Sequence, residues 1–355
     1  MKNLNIPVGI SDFEKIRREG FYYIDKTGLV KELLNPKPAE VTLITRPRRF
    51  GKTLAMSMLE NFFDIKKNSR DLFAGLEISA SEELCSRWMN QCPTVSLSFR
   101  QVDGLDFSSA YDMLTMVISN LFNRHRYLLE SQEISEFQKT AFVQIASQKA
   151  TAGEIKNSLI LLTDMMQTYY GKKVLLLVDE YDVPVAKANN NGYYEEMLDV
   201  MKGLMQALKD NRALGFAVVT GCMKIAKESI FTGTNNFVSD TIADSRLNEY
   251  FGFVQREVDQ ILADGEITDK RELIKQWYDG YHFGDWDVYC PWDVMNYVLE
   301  LQHNPQAKPA GYWKNTSDNA IIRSFIDYAG GSITRKLEIL MEGGYIIQQI
   351  DKNLT

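Results

Sequence analysis

"VTLITRPRRFGKTLAMSML", residues 41–59, decides the fold. Its first five residues are apolar or β-branched and read as a buried strand, while Leu54, Met58 and, just beyond the quotation, Phe62 share one face of a helix. Between them lies Arg46-Pro47-Arg48-Arg49-Phe50-Gly51-Lys52-Thr53. A strand, a loop closing on Gly-Lys-Thr and a helix form the context in which backbone N–H groups and a helix N-terminus hold phosphate. Gly51 permits close backbone approach, Lys52 brings an ammonium to the β- and γ-phosphates, and Thr53 offers a hydroxyl to Mg²⁺. The departure from GxxxxGK[ST] is at the strand side, where Arg46 stands in place of the first glycine. Pro47 has no N–H to donate and holds Arg46 extended, so the cradle is expected from the amides of residues 49–53. The expected nucleotide-binding set is Arg48, Arg49, Phe50, Gly51, Lys52, Thr53 and Leu54, with all three loop arginines, Arg46 included, able to supplement the amides bidentately.

A second motif, "VLLLVDEYD" at residues 174–182, is an apolar strand that delivers Asp179 and Glu180 at its carboxyl end. Hydrolysis of ATP uses one acid there to hold Mg²⁺ and a neighbouring carboxylate to orient and deprotonate the attacking water. Asp179 fits the first role and Glu180 the second. The carboxyl ends of parallel strands are where such folds bind ligands. Another strand ends at Thr220, whose hydroxyl either senses the γ-phosphate or the lytic water, or is satisfied locally as strand-end threonines often are. The candidate catalytic residues are thus Glu180, Lys52 and Thr220, and the candidate metal ligands Thr53 and Asp179. ATP and Mg²⁺ are the expected cofactors. No Asn-Lys-x-Asp or Thr-Lys-x-Asp tetrapeptide is present to read guanine.

Apolar runs at 41–45, 94–99, 173–178 and 215–220 read as strands buried on both faces. Helical patterns lie at 54–64, at 108–130 after a Ser108-Ser109 cap, at 131–148, at 154–170 with Gly171 as its stop, and at 193–211. This order predicts an α/β fold, a P-loop NTPase core of ASCE/AAA type with a central parallel sheet flanked by helices. Beyond residue 250 the strand signal fades, and a smaller, mainly helical C-terminal lid domain is expected. The division is an N-terminal docking segment at 1–36, the core at 37–250 and the lid at 251–355. The aromatic stretch 277–292 carries Asp279, Asp285 and Asp287, whose charge repels a phosphate backbone; it reads as packed core, with His282 inside it, rather than a base-stacking platform.

Composition bounds the function classes. The 355 residues are 45% hydrophobic and 25% charged, an ordinary globular balance, and the net charge of -7 argues against a protein that coats nucleic acid. The longest apolar runs fall far short of the ~20 residues of a membrane span. Met1 to Pro7 contain no apolar secretory core, and Cys85, Cys92, Cys222 and Cys290 lack metal-site spacing, so a reducing cytoplasm and buried free thiols are expected. Beyond ATP, a second copy of the chain or another protein is left open as partner, with nucleic acid unsupported by the net charge. The alternatives to an ATPase that moves its lid or a partner are a nucleotide-gated switch with negligible turnover and the ATPase part of a nucleic-acid-processing system.

Five stretches together carry a family resemblance: residues 6–34, "LITRPRRFGKTLAMSML", "VLLLVDEYDVP", "VTGCMKIAKESIFTGTNNF", and the series "FGFVQREV", "WYDGYHFG", "VYCPWDVMNYV" and "YWKNTSDN". They resemble the bacterial AAA-ATPase-like proteins over nearly the whole chain. In that family Arg-Pro-Arg-Arg-Phe-Gly-Lys-[Ser/Thr] replaces the glycine-led loop. The resemblance implies Lys52 and Thr53 on phosphate and Mg²⁺, Asp179 with Glu180 as the acidic pair, and residues 23–27 near the nucleotide base. Members often carry a nuclease-like PD-(D/E)XK domain at the C-terminus. This chain shows no Asp followed by Glu-x-Lys of that kind, so nuclease activity is not carried over and a fragment or short form is expected.

Overall fold

The computed structural model describes residues 2–35, 37–225 and 237–313, together with the isolated positions 335, 336, 339 and 344–346. The sequence stretches beginning at Val219 and Tyr312 therefore fall partly outside the described residues.

Five parallel strands make the central sheet: β1 (Val41–Thr45), β2 (Thr94–Ser98), β3 (Val174–Asp179), β4 (Leu214–Gly221) and β5 (Phe237–Asp240). Their spatial order is β2-β3-β4-β1-β5. β4 therefore separates the strand that leads into the phosphate loop from the strand that ends in the acids. Every residue of β1 and β3 is buried, which is why both read as unbroken apolar runs. Side chains alternate between the faces. Leu43, Val95, Leu176 and Val219 meet the helices Phe107–Arg124, Glu136–Ala146, Ser158–Tyr170 and Tyr194–Leu204, whereas Ile44, Leu175, Leu177 and Val218 meet the helices Lys52–Phe63, Phe13–Arg18 and Gly28–Leu34. The result is the expected helix–sheet–helix sandwich.

Several local expectations are corrected. The helix expected from Ser108 starts at Phe107 and is capped by Asp106, whose carboxylate accepts from Ser109 N–H at 2.8 Å; it ends at Arg124, and a tighter turn, Arg126–Glu130, follows. The pattern at 154–170 divides into Ala152–Lys156, opened by a Thr151/Glu154 capping box, and Ser158–Tyr170, which does stop at a left-handed Gly171. The edge strand β5 and the helix Val183–Asn191 are additions.

Past residue 250 helices predominate, at Gln255–Asp264, Arg271–Tyr278 and Pro291–His303. They enclose a small antiparallel sheet ordered β6-β8-β7: β6 (Phe253–Val254), β7 (Tyr281–Phe283) and β8 (Trp286–Tyr289). The acidic aromatic stretch is mostly this hairpin. Phe283 and Tyr289 are buried, but His282 is exposed and its Nδ1 lies 2.8 Å from Asp287 Oδ1, which corrects the reading of a packed histidine. The start of the chain shares this core. Ile6 and Ile24 pack with Phe253, Val258 and Ile261, and Lys26 Nζ pairs with the Glu257 carboxylate at 2.6 Å.

Candidate nucleotide site

The loop after β1 shows how it manages without its first glycine. Arg46 is fully buried; its guanidinium donates to the Thr45 and Asp240 carbonyls at 2.8 and 2.9 Å and to Asp240 Oδ1 at 2.5 Å. It also lies over the Phe251 and Phe283 rings. Arg46 therefore ties β1 to β5 and is not a phosphate ligand, against expectation. Burial pushes Asp240 up and Arg46 down from their ordinary values, each against the pull of its partner.

The left-handed bend falls on Arg49, at φ +72°, followed by Gly51 at φ +87° as the N-cap of the helix Lys52–Phe63. A left-handed non-glycine residue costs of order 1 kcal/mol. An offset is visible, since the Arg49 guanidinium sits 4.0 Å from the centre of the Trp292 ring. The neighbouring Phe50 is wholly buried with Phe283, Val288 and Cys290, so its ring anchors the loop to the hairpin and only its backbone is available to a ligand. Gly252, at φ +99°, lets the chain pass: a Cβ there would lie 2.2 Å from Val288 and 3.0 Å from Phe50.

Lys52 Nζ spans the loop, donating to the carbonyls of Arg46 at 2.8 Å and Pro47 at 3.0 Å and to Cys222 Sγ at 3.4 Å. Thr53 Oγ1 donates to Asp179 Oδ2 at 2.8 Å, and Thr220 Oγ1 to Asp179 Oδ1 at 2.5 Å. The ends of β3 and β4 and the start of the helix Lys52–Phe63 thus meet at one carboxylate, which is 4% exposed. Glu180 follows at φ +52°, again left-handed, and lines the cavity. Burial raises its carboxyl above the usual range, with the Asp179 charge adding to the rise while Lys52 and Arg100 oppose it.

Lys52, Thr53 and Glu180 line a cavity of about 470 Å³. Its lining includes Arg48 and the loop through Leu54, Glu180 and Arg100, together with Pro7 to Ser11, Tyr22, Tyr23, Trp292 and Asn296. Tyr23, Ile24 and Lys26 line it too, whereas Asp25 and Thr27 staple the chain by accepting from the backbone N–H groups of Glu77 and Ile78. Sequence reasoning missed Arg100, which follows the end of β2 by the same logic that singled out Asp179. It also missed Asp182, a 2%-exposed carboxylate whose Oδ2 accepts from the N–H groups of Cys222 and Met223 at 2.9 Å each, bracing the end of β4. All four cysteines are free; three are buried and Cys222 is partly exposed.

A phosphate-type loop between β1 and its helix, acids at the end of β3 and a polar strand between them define a P-loop nucleotide-binding fold of the AAA kind. The chain belongs to the AAA-ATPase_like family, described as predicted AAA-ATPases, whose model matches residues 7–231. A general ATPase-like function goes with that family. Over 319 residues the chain is also 28% identical to an uncharacterised protein in the vnfD 5′ region of Azotobacter chroococcum mcd 1; the match covers 89% of this chain and 55% of that relative, so the chain spans about half its length. Among the described residues no helix is long and apolar enough to cross a membrane.

Proposed function

We propose that the chain is a Mg²⁺-dependent ATPase that couples hydrolysis to movement of its C-terminal region as a lid. The observation that carries this reading is that Lys52, Thr53 and Glu180 line one cavity large enough for a nucleotide, while Asp179 is hydrogen-bonded to Thr53 and to Thr220 beside them. Asp179 is a buried carboxylate held only by two hydroxyls, with no ion-pair partner among the described residues, and a buried charge of that kind calls for a cation. No cluster of three or more His, Cys, Asp or Glu suited to a metal occurs among the described residues. The hard oxygens of Thr53 and Asp179 therefore fit Mg²⁺, which takes few protein ligands and completes its shell with water and phosphate. When bound, it would neutralise charge on the β- and γ-phosphates.

The chain's own groups divide the remaining work. Lys52 exchanges the Arg46 and Pro47 carbonyls for phosphate oxygens, and the amides at the start of its helix point at the same anion. Glu180 takes the proton of the attacking water, and its raised carboxyl brings its proton affinity nearer to neutral pH, where a base works best. Thr220 holds Asp179 in place. Any shift of the loop as it grips phosphate acts on Phe50 and Arg49, which are set into the C-terminal hairpin and on Trp292.

Phosphate release from ATP, measured with and without Mg²⁺, tests the reading. Glu180→Gln should bind ATP but turn over at least about 100-fold more slowly, and Lys52→Ala should lose binding. In the parent, kcat should fall on the acid side, because Glu180 must be deprotonated to act. Tight ATP binding by Lys52→Ala, or unchanged turnover in Glu180→Gln, refutes the assignment. Binding without turnover in the parent instead favours a nucleotide-gated switch.

A further inference from the structure

We infer that Arg100 is a catalytic residue for the proposed hydrolysis, an arginine supplied by the same chain that contacts the γ-phosphate beside Glu180. This rests on the nucleotide reading above and adds the group that neutralises charge developing on the transferred phosphoryl.

The placement follows from strand register. β2 runs beside β3 with Ser98 opposite Asp179, and Phe99 N–H donates to the Asp179 carbonyl at 3.0 Å. Arg100, just past the end of β2, is therefore delivered to the turn where Glu180 leaves β3. Arg100 lines the same cavity as Lys52, Thr53 and Glu180, and its charge is felt at the Glu180 carboxyl, opposing the rise that burial causes. It stands on the opposite side of Asp179 from the phosphate loop, because β3 lies between β2 and β4.

The other arginines near the loop divide differently. Arg46 is committed to Asp240, and Arg49 is stacked on Trp292. Arg48 lines the cavity from within the loop itself and so lies on the Lys52 side. Arg100 is exposed and makes no ion pair among the described residues. The nearest acid on its own segment, Asp103, is engaged by Lys187 at 3.2 Å. Its guanidinium is thus free to turn onto an anion, and a planar fork matches two phosphoryl oxygens at once. Charge on those oxygens is what an arginine stabilises in phosphoryl transfer.

ADP has no γ-phosphate, so binding separates this role from general attraction to nucleotides. Titration of parent, Arg100→Ala and Arg100→Lys with ATP and with ADP, each with Mg²⁺, is the test, with phosphate release alongside. Arg100→Ala should bind ADP within about threefold of the parent, bind ATP about tenfold more weakly and turn over about 100-fold more slowly or worse. Arg100→Lys should restore part of the ATP preference and little of the turnover, since charge returns without the fork. An Arg100→Ala variant that keeps the parent's ATP-over-ADP preference and turnover overturns the inference. Equal loss of ATP and ADP binding overturns it too, because that marks a structural or non-specific role. A parent that binds neither nucleotide overturns the reading beneath it.

Discussion

Replacing Asp240 by alanine isolates the ion pair that stands where the loop's first glycine is missing. The Arg46 side chain is fully buried and that of Asp240 is 3% exposed, so water cannot take the place of the lost carboxylate. Removing one partner of such a pair costs about 3–5 kcal/mol, most of it from the charge left behind. Arg46 keeps its bonds to the Thr45 and Asp240 carbonyls, which argues for the lower end, about 3 kcal/mol. Urea unfolding followed by fluorescence should show that loss, and the melting temperature should fall by roughly 4 °C. Arg46→Met with Asp240→Leu removes both charges and should return to within about 1 kcal/mol of the parent, since apolar replacements of buried pairs are often neutral. The double variant should also bind ATP within about threefold of the parent, because Arg46 does not face phosphate. A loss below about 1 kcal/mol in Asp240→Ala, or a double variant no more stable than the single, refutes the reasoning.

Two further outcomes are expected. His125 is buried and its pKa is pushed down to about 3, first by burial and then by Lys66 and Arg124, from 6.5 in the unfolded chain. The unfolded state alone takes up the proton as pH falls, so stability present above pH 6.5 is lost on acidification, by about 2 kcal/mol between pH 7.5 and 5; in denaturation curves His125→Gln should flatten that dependence. Trp292 carries the Arg49 stack, so ATP should change the tryptophan emission of the parent and leave that of Trp292→Phe unchanged while binding persists; the same change in both variants would show that another tryptophan reports it.

What was legible in the sequence follows from where each residue finds its partners. β1, β3 and β4 are buried on both faces, and their apolar runs mark them to within a residue or so. β5 is a four-residue edge strand, partly exposed along Phe237, Val238 and Ser239, and so carries no such run. The hairpin at 281–289 does carry a signal, Tyr281-His282-Phe283 and Trp286-Asp287-Val288 alternating about Gly284-Asp285, but its strands are only three and four residues long and sit between helical patterns. Lys52, Thr53, Asp179 and Glu180 stood out because each lies in a short local motif. Arg46 misled for the opposite reason: its partner Asp240 is 194 positions away, and nothing in a basic loop distinguishes a buried arginine from a phosphate ligand. The same holds for Arg49, whose stack on Trp292 exists only once the chain has folded.

The contact of Ile6, Ile24 and Lys26 with the residues after Phe253 also sets an order of events during synthesis. Lys26 and Glu257 are 231 positions apart, and at ribosomal speeds of about 5–20 residues per second the first waits roughly 10–50 s for the second. Through that interval Ile6, Ile24 and Lys26 lack these neighbours, and the wall that Ile24 and Lys26 lend to the cavity is unfinished. The loop after β1 waits longer still, since Phe50 and Arg49 are anchored on Phe283, Val288 and Trp292, which are made after Glu257. A nascent chain exposing that segment is a natural client for a chaperone.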